Sequence, residues 1–96
     1  MKTGMQQEVN YIHTSGELEP GDMFISNNQI LHKDSVYMVV DKNTLQSYIS
    51  VPEDNHFVPI VNLTKARFLT VRNDLHVTRV VFTAVDSNGT LLFKTV

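Results

Sequence analysis

The feature that most constrains the fold of this chain is a series of short β-type runs that recur about every ten residues. Apolar and β-branched residues cluster in these runs, and turn-forming residues interrupt them. No apolar series at positions i, i+3, i+4 and i+7 extends over three helical turns, and a parallel α/β sheet would need such helices as crossovers. We therefore predict an all-β fold, a small antiparallel barrel or sandwich.

Turn residues divide the chain into these runs. Pro20 and Gly21 suit the two central positions of a tight turn, because proline fixes φ and glycine supplies a positive φ. Asn27 and Asn28 are expected to reverse the chain, and residues 87–89 to close a final hairpin. The predicted strands are residues 23–25, 29–33, 36–40, 45–51, 57–63, 66–71, 77–85 and 91–96. Residues 5–13 are the segment most suited to helical or irregular structure.

Length and composition indicate one domain in a reducing cytosol. A chain of 96 residues is too short for two independent cores. It has no cysteine, whereas secreted domains of this size usually carry disulfides. No run approaches the roughly 20 apolar residues that span a bilayer, and a net charge of −2 disfavours nucleic-acid binding. We expect residues 1–16 to form an N-terminal arm and residues 17–96 the β-barrel.

Three motifs carry a resemblance to a known type of protein. Pro20-Gly21-Asp22 leads into a strand, the valine-rich run 36–40 contains a tyrosine and ends at Asp41, and Asn62-Leu63 precedes a hairpin. In these features residues 18–71 resemble small phage-encoded β-barrel proteins of SH3-like outline. Such proteins usually place glycine in the hairpin, where this chain has Lys65. The two-residue connection Thr64-Lys65 is therefore expected to be longer or of another type.

Several predicted strands are apolar on both faces. In residues 36–40 and 77–85 the side chains that point in opposite directions are equally apolar. One small barrel has one interior, so the second face needs a cover. We expect self-association to provide it. The alternative is that Met5, Val9 and Ile12 of the N-terminal arm are sufficient.

Basic residues cluster in the second half of the chain. Residues 1–54 hold three lysines against eight acidic residues, whereas residues 55–96 hold two lysines and three arginines against two acidic residues. Arginine forks hold oxyanions in a bidentate manner, so convergence on an antiparallel strand pair would create an anion site. The alternative is ordinary solvated charges. The candidate ligand-binding residues are Arg67, Arg72, Arg79, Lys65 and His76, with Tyr37 and Tyr48 as stacking surfaces.

No pattern indicates catalysis, a metal or a cofactor. The histidines His13, His32, His56 and His76 do not stand at metal-ligand spacing. Aspartate, serine and histidine residues occur near one another, but without a nucleophile turn. We expect a protein that is not an enzyme.

The sequence is consistent with two functions. The resemblance implies a homo-oligomeric, host-directed anti-defence protein in the host cytosol that sequesters an anionic small molecule such as a signalling nucleotide. The alternative is a protein-binding inhibitor of a host protein or a minor phage assembly component, with the acidic first half as the contact surface.

Overall fold

The computed structural model describes residues 1–7, 12–26, 31–45 and 56–96. The predicted all-β fold is confirmed. A 3-10 turn (Ser15–Glu17) and a short helix α1 (Lys42–Leu45) are the two helical elements in these ranges. The strands are β1 (Thr3–Gln7), β2 (His13–Thr14), β3 (Met23–Ile25), β4 (Tyr37–Val39), β5 (Phe57–Asn62), β6 (Arg67–Arg72), β7 (His76–Val85) and β8 (Leu91–Thr95).

The strands form one sheet in the order β1-β8-β7-β3-β4-β5-β6, and β2 pairs separately with β7. Strands β1 and β8 are parallel, and the other pairs of these strands are antiparallel. The expectation of a wholly antiparallel fold is therefore wrong at this edge. A parallel pair needs a long connection, and the first and last strands have most of the chain between them.

The start of the chain belongs to this sheet. Residues 5–7 lie in β1 instead of the helical or irregular segment predicted for residues 5–13. Pairing with β8 supplies hydrogen-bond partners to this short segment, and Met5 packs into the core. No helix in the described ranges is long and apolar enough to cross a membrane.

Strands β6 and β7 follow each other in sequence but are not neighbours in the sheet. Three strands, β3, β4 and β5, lie between them in the strand order. The backbone at the start of β7 pairs instead with β2, and Ser15 and Gly16 donate N–H groups to Leu75 O and Asn73 O in the intervening turn, each at 2.8 Å. The antiparallel β6–β7 pair on which the arginine cluster was predicted is therefore absent.

Two apolar clusters occupy the interior. The first includes Phe24, Tyr37 and Ile60, and the second is built on Val80 and Phe93. This explains why several strands are apolar on both faces, since consecutive residues reach different clusters. Met5 of β1 packs against the second cluster, so the chain itself covers part of it.

The predicted tight turns at Gly21 and Gly89 are confirmed, with φ of +95° and +79°. The β5–β6 connection comprises the four residues 63–66, because Asn62 pairs with Arg67, so it is longer than Thr64-Lys65, as expected. The positive φ in this connection, 54°, is at Ala66 and not at Lys65.

Some predictions fall outside the described ranges. These are the turn at Asn27 and Asn28, the strand at residues 45–51 except for its first residue, the contribution of Val9, and Tyr48. Of the return strand predicted at residues 29–33, the described part, residues 31–33, is not strand.

Candidate functional site

The three arginines occupy different places. Arg67 and Arg72 stand at the two ends of β6, whereas Arg79 lies in β7, opposite Phe24. The Arg79 guanidinium is 3.6 Å from the Asp22 carboxylate, in a half-buried ion pair. The structure therefore brings two of the three predicted arginines to one strand and places the third elsewhere.

A row of polar side chains crosses three strands at one end of the sheet. Tyr37 of β4 is in register with Asn62 of β5, which is in register with Arg67 of β6. Side chains directly opposite one another on neighbouring strands project from the same face and stand about 5 Å apart. The next row on this face, Val39, Ile60 and Leu69, is apolar.

A pocket of about 220 Å³ opens at this polar row. Lys65 and Arg67 lie at its exposed side, and Tyr37 and Asn62 form its buried side with exposures of 1% and 3%. The other lining residues are Leu31, His32, Phe68 and Leu69. None of these side chains is acidic, so the pocket has a positive character.

A second pocket of about 540 Å³ follows along the same strand. It shares Leu31 and Leu69 with the smaller pocket, so the two pockets are neighbours along β6, and together we call them the β6 groove. The larger pocket is mostly apolar, with Arg72, Asp74 and His76 at its rim. Its remaining lining residues are Phe57, Thr70, Val71 and Leu75.

The rim of the larger pocket carries an ion pair. Arg72 Nε lies 3.3 Å from Asp74 Oδ1, and both side chains are exposed. Lys65 and Arg67 differ in this respect, since neither forms an ion pair with an acidic residue in the part of the chain that the structure describes. Both cations of the smaller pocket are thus without an acidic partner among the described residues.

The 3-10 turn Ser15–Glu17 holds the rim in place. Ser15 is buried and its hydroxyl donates to Arg72 O. Glu17 Oε1 accepts hydrogen bonds from the Thr14 hydroxyl (2.8 Å) and the Thr14 N–H (3.1 Å), which closes the turn. These bonds from Thr14, with a smaller effect of His13, lower the pKa of Glu17 below its ordinary value.

Tyr37 does not offer the stacking surface that was predicted. Its ring is buried against Phe24, with centroids 5.4 Å apart and planes 17° from parallel. Tyr37 still lines the smaller pocket together with His32, whose backbone N–H donates to the Tyr37 hydroxyl oxygen.

Sequence reasoning missed Asn62 and His32. The signal for Asn62 was its position, since residues 58, 60 and 62 alternate on the inward face of β5 and only the last is polar. A buried polar residue in such a place has a hydrogen-bonding role. His32 lies before β4, outside any periodic pattern.

No protein-family model matches the sequence, and neither a curated protein nor a solved structure matches it. Among the residues that the structure describes, no group of three or more histidine and acidic side chains is placed to hold a metal ion.

Proposed function

We propose that this chain is a non-catalytic binding protein that captures a small anionic molecule in the β6 groove. The observation that carries the proposal is the placement of Lys65 and Arg67 at the smaller pocket of this groove and of Arg72 and His76 at the rim of the larger, mostly apolar one. Small-molecule sites commonly have this composition, with mainly apolar walls and a few placed polar groups.

A nucleotide suits this arrangement. Its base would lie against the apolar wall of Leu31, Phe57 and Leu69, and its phosphates would meet the guanidinium and ammonium groups. The volume of about 540 Å³ falls within the roughly 300–1,000 Å³ typical of ligand pockets.

The biological setting follows from the resemblance of residues 18–71 to small phage-encoded β-barrels. We propose a phage-type protein of the host cytosol that is directed against host defence. In this role it would bind a signalling nucleotide and keep it from its effector, which requires affinity but no chemical step.

We also propose that the protein is a homo-oligomer. Phe82 and Val85, in the outer half of β7, are 49% and 54% exposed. Phe82 stands edge-on to the buried Phe93, with ring centroids 5.9 Å apart, so it extends the second apolar cluster to the surface. A second copy of the chain offers the same apolar surface in return, as in a two-fold interface.

A protein-binding role is the second candidate, either as an inhibitor of a host protein or as a minor phage assembly component. The same exposed residues, Phe82 and Val85, favour it, because exposed apolar side chains on a sheet suit a protein partner as well as a second copy. In this case the β6 groove would have no ligand-binding role.

The test is retention of a ligand from a bacterial nucleotide extract. The purified protein is incubated with the extract, washed, and denatured, and the released molecules are identified by mass spectrometry. A phosphorylated compound retained by the wild type and lost from the double variant Arg67→Ala/Arg72→Ala supports the proposal. No retained compound from extracts of infected and uninfected cells would favour the protein-binding candidate.

A further inference from the structure

We infer that the smaller pocket of the β6 groove is a phosphate subsite, in which Tyr37 and Asn62 donate hydrogen bonds and Lys65 and Arg67 balance the charge. This inference rests on the proposed function and specifies which end of the groove takes the anionic group. It assigns a role to Asn62, which is absent from the candidate residues predicted from the sequence.

The Asn62 side chain supplies the first donor. Its Oδ1 lies 2.9 Å from the Lys65 backbone nitrogen. A backbone N–H can only donate, so the atom that it meets is the amide oxygen, and the other end of the side chain is the NH₂ group. That group has no hydrogen-bond partner among the described residues, although the side chain is nearly fully buried and lines the pocket.

Tyr37 supplies a second donor by the same reasoning. The backbone N–H of His32 donates to the Tyr37 hydroxyl oxygen at 3.0 Å. The hydroxyl oxygen is therefore an acceptor in that bond, and its own proton is left to donate. Within the described parts of the chain no acceptor contacts that proton. The stacking of the ring on Phe24 holds the hydroxyl oxygen in this position.

The buried side of the pocket therefore offers hydrogen-bond donors, while its acceptors are already engaged by backbone groups. Lys65 and Arg67 add two positive charges without acidic partners in the described ranges. Donors from several directions and two cations match a tetrahedral dianion, whereas a planar carboxylate has two oxygens and one charge. Phosphate or a terminal phosphate ester is thus the preferred occupant.

The larger pocket is the poorer place for that group. Its guanidinium, that of Arg72, is paired with Asp74, whose carboxylate would repel a dianion. Its apolar walls suit the organic part of the ligand instead. The groove thus has a polarity, with the phosphate toward Arg67 and the body of the ligand toward Val71.

The test is calorimetric titration with inorganic phosphate, with acetate as the carboxylate probe. The wild type should bind phosphate at least tenfold more tightly than acetate. The Asn62→Asp variant keeps the acceptor for the Lys65 N–H but replaces the donor with a negative charge, and should lose tenfold or more in phosphate affinity. Arg67→Ala, an exposed change that leaves the core intact, should lose a similar factor. Arg79→Ala is the matched control, because Arg79 lies outside both pockets and pairs with Asp22, and it should change phosphate affinity less than threefold.

Each result bears on the inference. Unchanged phosphate affinity in Asn62→Asp and Arg67→Ala would overturn it, as would an equal loss in Arg79→Ala. If the wild type binds no phosphate but retains a compound from the nucleotide extract, the subsite is refuted and the proposed function stands. If it neither binds phosphate nor retains a compound, both are refuted.

Discussion

The guanidinium of Arg79 lies 3.6 Å from the carboxylate of Asp22, in an ion pair that joins β7 to the residue just before β3. The two strands are neighbours in the sheet, so this contact reinforces a pairing that the backbone already makes. Arg79 thus has a structural partner, and the β6 groove lies elsewhere.

We expect Arg79→Ala to leave ligand affinity unchanged and to lower the free energy of unfolding by about 0.5–1 kcal/mol, the usual value of a partly exposed ion pair. Arg72→Ala should show the opposite pattern, with weaker binding of the extract-derived ligand and little change in stability. Urea denaturation and calorimetry on both variants provide the comparison. Loss of affinity in Arg79→Ala equal to that in Arg72→Ala would show that the arginines act together.

Asp74 should oppose binding. Its carboxylate faces Arg72 at the rim of the larger pocket, so an anionic ligand must compete with it. Asp74→Asn removes this competition and should tighten binding of the extract-derived ligand by about 1 kcal/mol, roughly fivefold. Asp34→Asn makes the same change in net charge away from the groove and should have a smaller effect. Equal gains in both variants would attribute the effect to net charge alone.

Phe82 should control association. Phe82→Ser removes an exposed apolar ring from the proposed interface, and light scattering should show a shift from oligomer to monomer. Because Phe82 also contacts Phe93, Val85→Ser is the second variant, which lies further from the core. Ala84→Ser, also exposed, serves as the control. A wild-type protein that is monomeric at micromolar concentration would contradict the proposed homo-oligomer.

Gly16 should be intolerant of substitution. A Cβ at this position would stand 2.9 Å from Asn73 O, and the neighbour is backbone in the turn that leads to Asp74. Gly16→Ala should therefore cost about 1–3 kcal/mol of stability and displace the rim of the groove. At Gly4 an added Cβ would meet the ends of the Leu92 and Thr90 side chains, at 3.3 and 3.5 Å. Thermal denaturation should show a smaller loss for Gly4→Ala, and equal losses would contradict this explanation.

Local features were predictable from the sequence, and non-local ones were not. The turns at Gly21 and Gly89 follow from the conformational freedom of glycine within four residues of chain. The parallel β1–β8 pair and the separation of β6 from β7 depend on contacts between distant segments, which periodicity does not encode. The predicted arginine cluster failed to form on one strand pair for this reason.

The candidate site shows the same division. The charge of Arg67 and Arg72 predicts them as ligand-binding residues, and both line the groove. Asn62 is not among the predicted residues, because its place in the site depends on its register with Tyr37 and Arg67. A polar residue on the inward face of an apolar strand was the one sequence signal that could have identified it.

The most direct test of the β6 groove as a ligand site is NMR chemical-shift mapping of uniformly ¹⁵N-labelled protein during titration with a bacterial nucleotide pool. We predict saturable shifts of the backbone amides of Asn62, Lys65, Leu69 and Arg72, and of the Asn62 side-chain amide. The amides around Phe82 should not move at constant protein concentration. Shifts confined to the β7–β8 hairpin, or no saturable shift at millimolar nucleotide, would contradict the proposal that the groove binds an anionic small molecule.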